Sequence, residues 1–147
     1  MFYPDVFHRM FIKGEPGQVR AVLDYFKGSP GDNELFDLNT IIPMPKCIRI
    51  TAEREGLGTV IEMYGESEVT AYQERCAASE RRCLAETGFS GWFDWCLSQW
   101  DTPWNVYGVA RGDAPDTLFF RSAGSTPYSP LLELSNIFPD VVIHVDY

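Results

Sequence analysis

The chain has 147 residues, and 12 Lys or Arg against 21 Asp or Glu give it a formal net charge of −9 at pH 7. Hydrophobic residues make up 45% of it and aromatic residues 14%, which is enough apolar side chain for a packed core and excludes general disorder. The length predicts one domain, or one domain with a large insertion, while the acidity disfavours direct nucleic-acid binding and favours a basic partner.

The chain is predicted to begin with a strand and a helix. The strand, residues 6–12, alternates in the way that a half-buried strand does. Its two faces carry Val6, Met10 and Ile12 on one side and Phe7 and Phe11 on the other. The helix begins at Pro16, whose missing N–H is harmless at the first helical position, and it ends before Gly28.

The middle of the chain is predicted to be extended first and helical afterwards. Prolines on both sides of Met44 favour an extended segment at 35–45. Short strands are predicted at 47–50 and 59–64. Residues 67–87 contain no Gly or Pro and are rich in Ala, Glu and Arg, which predicts a long helix.

The last part of the chain resembles the first in the kind of elements it contains. In order, these are a helix bearing a Trp stripe after Gly88, strands at 104–111 and 117–121, a helix with Ser129 as its N-cap and Pro130 at its first position, and a closing strand at 141–147. The order β-α-(mostly helical insertion)-β-β-α-β is that of a ferredoxin-like split β-α-β with an antiparallel sheet.

The predicted architecture is therefore an α+β fold in a single domain, 1–147, with the insertion at approximately 28–103. Helices would cover one face of the sheet. The pattern leaves open whether the insertion covers the other face.

The sequence contains four cysteines without a CxxC pair: Cys47, Cys76, Cys83 and Cys96. Two of them, Cys76 and Cys83, lie on one predicted helix at about 10 Å from each other, which is too far for an unstrained disulfide. The two histidines, His8 and His144, are not at zinc-finger spacing. Reduced, buried thiols are therefore expected, with no metal and no cofactor.

No stretch of the sequence suggests membrane insertion or export. The longest apolar runs, such as 118–120 and 141–143, fall far below the roughly 20 residues of a membrane span. The first five residues have neither the basic nor the apolar region of a signal peptide. A cytoplasmic protein is the simplest expectation.

Two segments carry a family resemblance. Residues 95–105, WCLSQWDTPWN, resemble the WC-x-x-x-W-G-T-K-W-N signature of the YubB-like, ferredoxin-like domain family of phage and plasmid proteins, and residues 36–45, FDLNTIIPMP, are similar to its F-x-F-N-x-(I/V)-(I/V)-P-M-P. Residues 131–147 are similar to its closing helix and strand. The signature residues of this chain are Trp92, Trp95, Trp100, Trp104, Asn105, Pro43, Met44 and Pro45.

The chain departs from the family pattern at three positions and at its end. Asp101 stands where the family usually has Gly, Pro103 where it has Lys, and Gly124 where it tends to have Trp. The family often carries an acidic tail, whereas this chain stops at Tyr147. The resemblance implies the fold and a mobile-element origin in a bacterial host cell, and it implies no catalytic site.

Two groups of side chains are candidates for a binding role. The Trp cluster consists of Trp92, Trp95, Trp100 and Trp104. It is either part of the core, where the last helix of the insertion would pack on the sheet, since aromatic stripes at helical spacing are usually buried, or a stacking platform for bases. The carboxylates are either solvated surface or an acidic face that mimics the phosphates of nucleic acid. Asp94 and Asp101 are the two best placed to be partly buried, and either could accept from an indole N–H or cap the turn that follows it. The candidate partner-binding residues are Asp94, Asp101, Asp113, Asp116, Glu66 and Glu68.

The sequence gives little support to nucleophilic chemistry. Ser125 and Ser129 lie in a Gly- and Pro-containing loop, but no G-x-S-x-G motif is present. His8 and His144 fall on the first and last strands, where a general base would also need a positioned nucleophile and an orienting partner. No catalytic residue is therefore predicted.

These observations predict a non-catalytic accessory protein of phage or plasmid type. It would bind a host protein with a basic surface, as an acidic mimic of nucleic acid that inhibits a host defence or nucleic-acid-processing complex. Two alternatives stay open: a single-stranded nucleic-acid-binding protein that uses the sheet face and the Trp cluster, and a small hydrolase that uses His8 or His144. The oligomeric state is left open.

Overall fold

Four strands and five α-helices make up the part of the chain that the computed structural model describes, which is residues 2–31, 33–52 and 66–147. Side chains at 50–52 and 66–69 are outside that description. The strands are β1 (Asp5–Lys13), β2 (Tyr107–Arg111), β3 (Thr117–Ala123) and β4 (Val142–Asp146), and the helices are α1 (Pro16–Tyr25), α2 (Lys46–Ala52), α3 (Glu66–Thr87), α4 (Trp92–Gln99) and α5 (Tyr128–Ile137).

The strands form one open antiparallel sheet in the order β2-β3-β1-β4. Every neighbouring pair runs antiparallel, and the first and last strands of the chain pair directly with each other. The predicted α+β class and antiparallel sheet are therefore confirmed. The strand β2 begins at Tyr107, three residues later than the predicted start at 104.

One face of this sheet forms the core. Side chains alternate along a strand, so His8, Met10 and Ile12 of β1 are buried, as the predicted alternation requires. The ring of Phe36 lies between the end of α1 and the sheet, because its centroid lies 4.8 Å from that of Phe26, at the C-cap of α1, and 5.1 Å from that of Phe120 on β3.

The chain divides into two compact units, Met1–Pro43 with Cys96–Tyr147, and Met44–Trp95. The first unit contains the sheet, α1 and α5. The second contains α2 and α3. The predicted insertion at approximately 28–103 encloses the second unit, and its flanking segments, 28–43 and 96–103, belong to the unit with the sheet.

The predicted strand at 47–50 is wrong, because these residues lie in the helix α2. The carbonyl of Pro45 accepts the backbone N–H groups of Ile48 and Arg49 at 3.0 and 3.1 Å, which closes the first helical turn. A four-residue segment is too short for its hydrophobic periodicity to distinguish a strand from a helix. The other predicted strand, 59–64, lies outside the described residues.

A disulfide joins Cys47 of α2 to Cys83 of α3, with their Cα atoms 5.5 Å apart. The prediction of four reduced thiols is therefore wrong for this pair. The spacing of Cys76 and Cys83 along one helix excluded a disulfide between these two, but it could not show that Cys47, on another helix, lies next to Cys83. Cys76 and Cys96 are free, and burial raises the pKa of the Cys96 thiol to about 12.

Among the described residues, no helix combines the length and the apolar character that crossing a membrane would require.

Reduction of the Cys47–Cys83 disulfide is expected to destabilise the second unit by about 2–4 kcal/mol, because the bond closes a loop across a sequence separation of 36 and so restricts the unfolded chain. Thermal unfolding with and without reductant measures this effect. The Cys47→Ser variant should match the reduced protein, and Cys76→Ser, which removes a free thiol, should match the oxidised one. Identical unfolding temperatures for the oxidised and reduced chains would contradict the prediction.

Candidate functional site: the outer face of the sheet

The face of the sheet opposite the core is exposed and carries aromatic rings and cations. We call it the outer face. The side chain of Phe7 on β1 is 67% exposed and that of Phe119 on β3 is 44% exposed, although both belong to the two central strands. The side chains of the outer face are Asp5, Phe7, Arg9, Phe11, Lys13, Tyr107, Phe119, Arg121, Val142, His144 and Asp146.

The register of the central strands places aromatic rings opposite cations. Phe7 pairs with Arg121, and Arg9 pairs with Phe119. Side chains that are directly opposite in an antiparallel pair lie close enough to contact each other. The guanidinium carbon of Arg121 lies 5.8 Å from the ring centroid of Phe7 and 5.3 Å from that of Tyr107. The outer face is therefore an alternation of rings and positive charges in both directions.

The ring of Phe11 continues this pattern towards β4. It stacks on His144 with the two centroids 4.5 Å apart. The Lys13 ammonium lies 5.1 Å from the Phe11 centroid, and the Arg9 guanidinium carbon lies 5.8 Å from it. The two distances from Lys13 and Arg9 to the Phe11 ring are within the range of a cation–π interaction.

Two carboxylates hold the arginines of the outer face in place. Asp146 accepts a hydrogen bond from Arg9 at 2.5 Å, and Asp5 lies 3.9 Å from Arg121. The hydrogen bond from Arg9, and a second one from His144, hold the pKa of Asp146 below its usual value. Lys13 has no ion-pair partner among the described residues. Three cations against two carboxylates leave the outer face slightly positive on a chain whose net charge is −9.

A shallow depression of about 380 Å³ lies on the outer face. It is lined by the side chains described above, from Phe7, Arg9, Phe119, Arg121 and Asp146. Gly108 forms part of its wall at an irregularity in the β2–β3 pairing. Its φ is +58°, and a Cβ there would lie 2.5 Å from Arg121 Nε, so only glycine lets the arginine lie in this position.

On the buried side of the sheet, His8 is part of a polar chain that reaches α5. Its Nε2 lies 2.8 Å from Ser122 Oγ, and Ser122 Oγ donates to the carbonyl of Ser125 at 2.6 Å. The Ser125 hydroxyl donates to the carbonyl of Asp101, whose carboxylate accepts the backbone N–H of Ser129 at 2.7 Å. The chain of bonds therefore connects the first strand to the first turn of α5.

The Ser122 proton is directed away from His8, so the Nε2–H of His8 must donate to Ser122. Its Nδ1 is then an acceptor, and it has no hydrogen-bond partner although the ring is only 3% exposed. A serine nucleophile would need the histidine to accept its proton and a third group to orient the histidine. This geometry gives no support to a hydrolase site at His8.

Asp101 acts as a structural residue at this point. Its φ is +64°, which lies in the left-handed region that favours glycine and in which Asp is one of the few other residues found. The sequence predicts that Asp101 caps the turn directly after it, whereas its carboxylate accepts the backbone N–H of Ser129, 28 residues later in the chain. The predicted N-cap Ser129 is wrong, because α5 begins at Tyr128.

The two sequence motifs meet in the structure. The indole N–H of Trp100 donates to the carbonyl of Ile42 at 3.0 Å. Asn105 Oδ1 accepts the backbone N–H of Leu38 at 3.1 Å, and its Nδ2 donates to the carboxylate of Asp37 at 2.8 Å. These bonds join residues 37–42 to residues 100–105, so the motif residues involved support the fold rather than a site.

The remaining signature residues are divided between core and surface. Trp95 is buried at 4% exposure and Trp100 at 2%, so these two side chains are not exposed to a ligand. Trp104 is 40% exposed and packs edge-to-face on Tyr3 at 5.7 Å. Pro43 is exposed, and Trp92, Met44 and Pro45 are partly buried.

The structure does not gather the predicted partner-binding carboxylates of the sheet unit in one place. Asp101 lies by the C-terminal end of β3, whereas Asp113 and Asp116 lie in the turn before β3, roughly 20 Å away along a seven-residue strand. Asp94 and Asp113 are exposed, and Asp116 is partly buried. The side chains of Glu66 and Glu68 lie outside the described residues. Within the described ranges, no three His, Cys, Asp or Glu side chains converge to hold a metal ion.

The residues of the outer face were missed as a site by sequence reasoning. A signal was present, since β1 carries Phe7 and Phe11 on the face opposite its core residues. It was incomplete, because nothing in the sequence pairs Phe119 and Arg121 with this strand.

Comparisons with protein-family models, curated proteins and solved structures return no match for the chain. The resemblance to the YubB-like family therefore stays a prediction from the sequence.

The free energy of unfolding is expected to fall on acidification because of His8. Burial lowers its pKa below the usual 6.5, so the unfolded chain takes up a proton at a higher pH than the folded chain does. The His8 contribution is fully present above pH 6.5 and is lost as the pH falls below that value. Denaturant unfolding between pH 7.5 and about pH 5 measures the slope.

The His8→Phe variant should lose this part of the slope, while His144→Gln, which removes an exposed imidazole on β4, should keep it. An unchanged slope in His8→Phe would show that the buried imidazole does not cause the pH dependence.

Proposed function

We propose that the sheet unit has the ferredoxin-like split β-α-β topology. The strand order β2-β3-β1-β4, with all neighbours antiparallel, supports this assignment. The helix α1 lies between β1 and β2 in the chain, and α5 lies between β3 and β4, as that arrangement requires. The second unit, Met44–Trp95, would then be an insertion between α1 and β2.

We propose that the protein is a binding module for single-stranded nucleic acid, and that the outer face of the sheet is its binding surface. The observation that carries this proposal is the alternation of exposed rings and cations on the two central strands, with Phe7 opposite Arg121 and Phe119 opposite Arg9. Splayed-out bases stack on aromatic rings and on guanidinium planes, and phosphates pair with Arg and Lys.

The preference for a single strand follows from which groups the surface can contact. Rings such as Phe7 and Phe119 need the faces of bases, which a duplex keeps stacked inside. A duplex would offer mainly its phosphates, and a chain with net charge −9 repels them. Carboxylates far from the outer face repel a bound phosphate only weakly, because physiological salt screens exposed charges beyond about 8 Å.

The proposed stacking platform consists of Phe rather than Trp side chains. Trp95 and Trp100 are buried, so they are not available to bases, and Trp104, which is 40% exposed, packs on Tyr3 and is not one of the side chains of the outer face. The alternative that was open from the sequence, a nucleic-acid binder using the sheet face and the Trp cluster, is retained here for the sheet face alone.

A second candidate function is the accessory protein that binds a host protein with a basic surface, in the role of a nucleic-acid mimic that inhibits a defence or nucleic-acid-processing complex. The net charge of −9 favours it, together with the exposed carboxylates of Asp94 and Asp113. Neither carboxylate has an ion-pair partner among the described residues. Asp101 is set aside, because its carboxylate already caps α5.

The Phe7→Ala and Phe119→Ala variants are each expected to weaken binding of a single-stranded oligonucleotide by about 1–3 kcal/mol, because each removes one stacking ring. Fluorescence anisotropy with labelled oligo(dT) and oligo(rU) at low ionic strength measures this, with a duplex of equal length beside them. The Leu132→Ala variant is the control, since Leu132 is 65% exposed on α5.

The proposal is wrong if the unmodified protein binds neither oligonucleotide both at low salt, where the attraction of phosphates to the cations of the outer face is strongest, and at physiological salt, where repulsion by the remote carboxylates is screened. It is also wrong if the two Phe variants bind as tightly as the Leu132 variant. Tighter binding to the duplex would point to phosphate contacts without stacking.

The mimic candidate predicts that the protein displaces duplex DNA from a basic, sequence-independent DNA-binding protein such as the bacterial HU protein. The double variant Asp94→Lys/Asp113→Lys should lose this competition with an unchanged unfolding temperature. The control Glu15→Lys/Glu34→Lys makes the same change in net charge at two other exposed sites and should still compete. If both double variants lose the competition equally, net charge alone causes it and Asp94 and Asp113 form no specific surface. If the unmodified protein displaces no DNA, the mimic candidate is wrong.

A further inference from the structure

A second concave site lies in the sheet unit, away from the outer face. It is a cavity of about 470 Å³ between one side of α1 and the turn that connects β2 to β3. Its volume falls within the range of about 300–1,000 Å³ that is usual for small-molecule sites in proteins. Neither the proposed sheet-face function nor the core needs this space.

The walls of the cavity are mainly apolar. Val19 and Leu23 contribute from adjacent turns of α1, and Leu118 contributes from β3. Pro16 and Leu35 complete the apolar lining. An apolar wall of this kind favours a ligand with a hydrocarbon body, because binding removes both surfaces from water.

The charged groups at the cavity are unevenly partnered. Lys27 is paired with Asp24 at 3.0 Å, and Asp116 accepts the hydroxyl of Thr117 at 3.2 Å. Arg20, on α1, and Arg111, at the end of β2, both line the cavity, and their guanidinium groups have no hydrogen-bond or ion-pair partner among the described residues. Two arginines without partners therefore lie at an apolar cavity beside one carboxylate, that of Asp116, which no cation pairs among the described residues, so the unpaired charges at the cavity are two positive and one negative.

We propose that this cavity binds a small organic anion, in which one phosphate or carboxylate group is attached to an apolar body. The anionic group would receive charge-assisted hydrogen bonds from Arg20 and Arg111, whose planar guanidinium groups match both head groups. The apolar body would lie against Val19, Leu23 and Leu118. Inorganic phosphate alone would leave the apolar wall exposed to water, and an uncharged ring would leave both arginines without partners.

Four probes separate these contributions in a titration followed by chemical shifts in two-dimensional ¹H–¹⁵N spectra. Phenyl phosphate and benzoate share an aromatic ring and differ in the anionic group, inorganic phosphate has no ring, and benzyl alcohol has no charge. At least one of the two ring-bearing anions should bind saturably, at least tenfold more tightly than inorganic phosphate and benzyl alcohol. The amides of Val19 and Leu23 should be among those that shift. The tighter of the two anions identifies the preferred head group.

The Arg20→Gln and Arg111→Gln variants should each weaken the preferred anion about tenfold or more, as expected for the loss of a charge-assisted hydrogen bond. The Arg49→Gln variant, which removes an exposed arginine on α2, should leave the affinity unchanged. All three arginines are exposed, so these changes should leave the fold intact.

The proposal is overturned if no probe gives a saturable shift at millimolar concentration, if the Arg20→Gln/Arg111→Gln double variant retains the affinity, or if the shifts map to the outer face. Two single variants distinguish this proposal from that of oligonucleotide binding at the outer face. The Arg20→Gln variant should bind oligonucleotides with unchanged affinity, and the Arg9→Gln variant, on the outer face, should bind the organic anion with unchanged affinity.

Discussion

The division of one sheet into a buried face and an exposed face is the constraint on which the rest of the structure depends. Side chains alternate along each strand, so the pairing of β1 with β3 places Met10 and Phe120 in the core and Phe7 and Arg121 outside it. A register slip of one residue would exchange the faces of the slipped strand and place Arg121 in the core, at a high cost in free energy. The pairing that forms the core therefore also assembles the outer face.

The sheet unit is formed from two chain segments on either side of Met44–Trp95, and side-chain hydrogen bonds keep these segments together. Asn105 bonds to both Asp37 and Leu38, and the indole of Trp100 bonds to Ile42. Partly buried polar groups of this kind are costly to leave unpaired, which restricts the residue types that fit. The most recognisable motifs of the sequence thus have a structural role, while the candidate binding residues have no motif.

Local patterns predicted those features that local interactions decide. The alternation of β1 and the long helix α3 follow from apolar spacing and from composition, and both are present. The predicted strand at 47–50 was wrong because a four-residue segment is too short to show whether its hydrophobic spacing is that of a strand or of a helix. Ser129 as a cap failed because a carboxylate from outside the helix, that of Asp101, takes the capping role, and the sequence next to α5 does not report it.

The sequence by itself determined the α+β class, the order of the elements of the sheet unit, the net charge of −9 and the two faces of the first strand. The tertiary structure alone decided that Phe119 and Arg121 lie beside Phe7 and Arg9, that Cys47 reaches Cys83, and that one face of the sheet is open. The reason is that such neighbours are far apart in the chain and are brought together only by strand pairing and helix packing. The amino-acid composition gives the number of charged and aromatic side chains in the whole molecule. A binding surface depends on which of these side chains lie on one face, and that is decided by the tertiary structure.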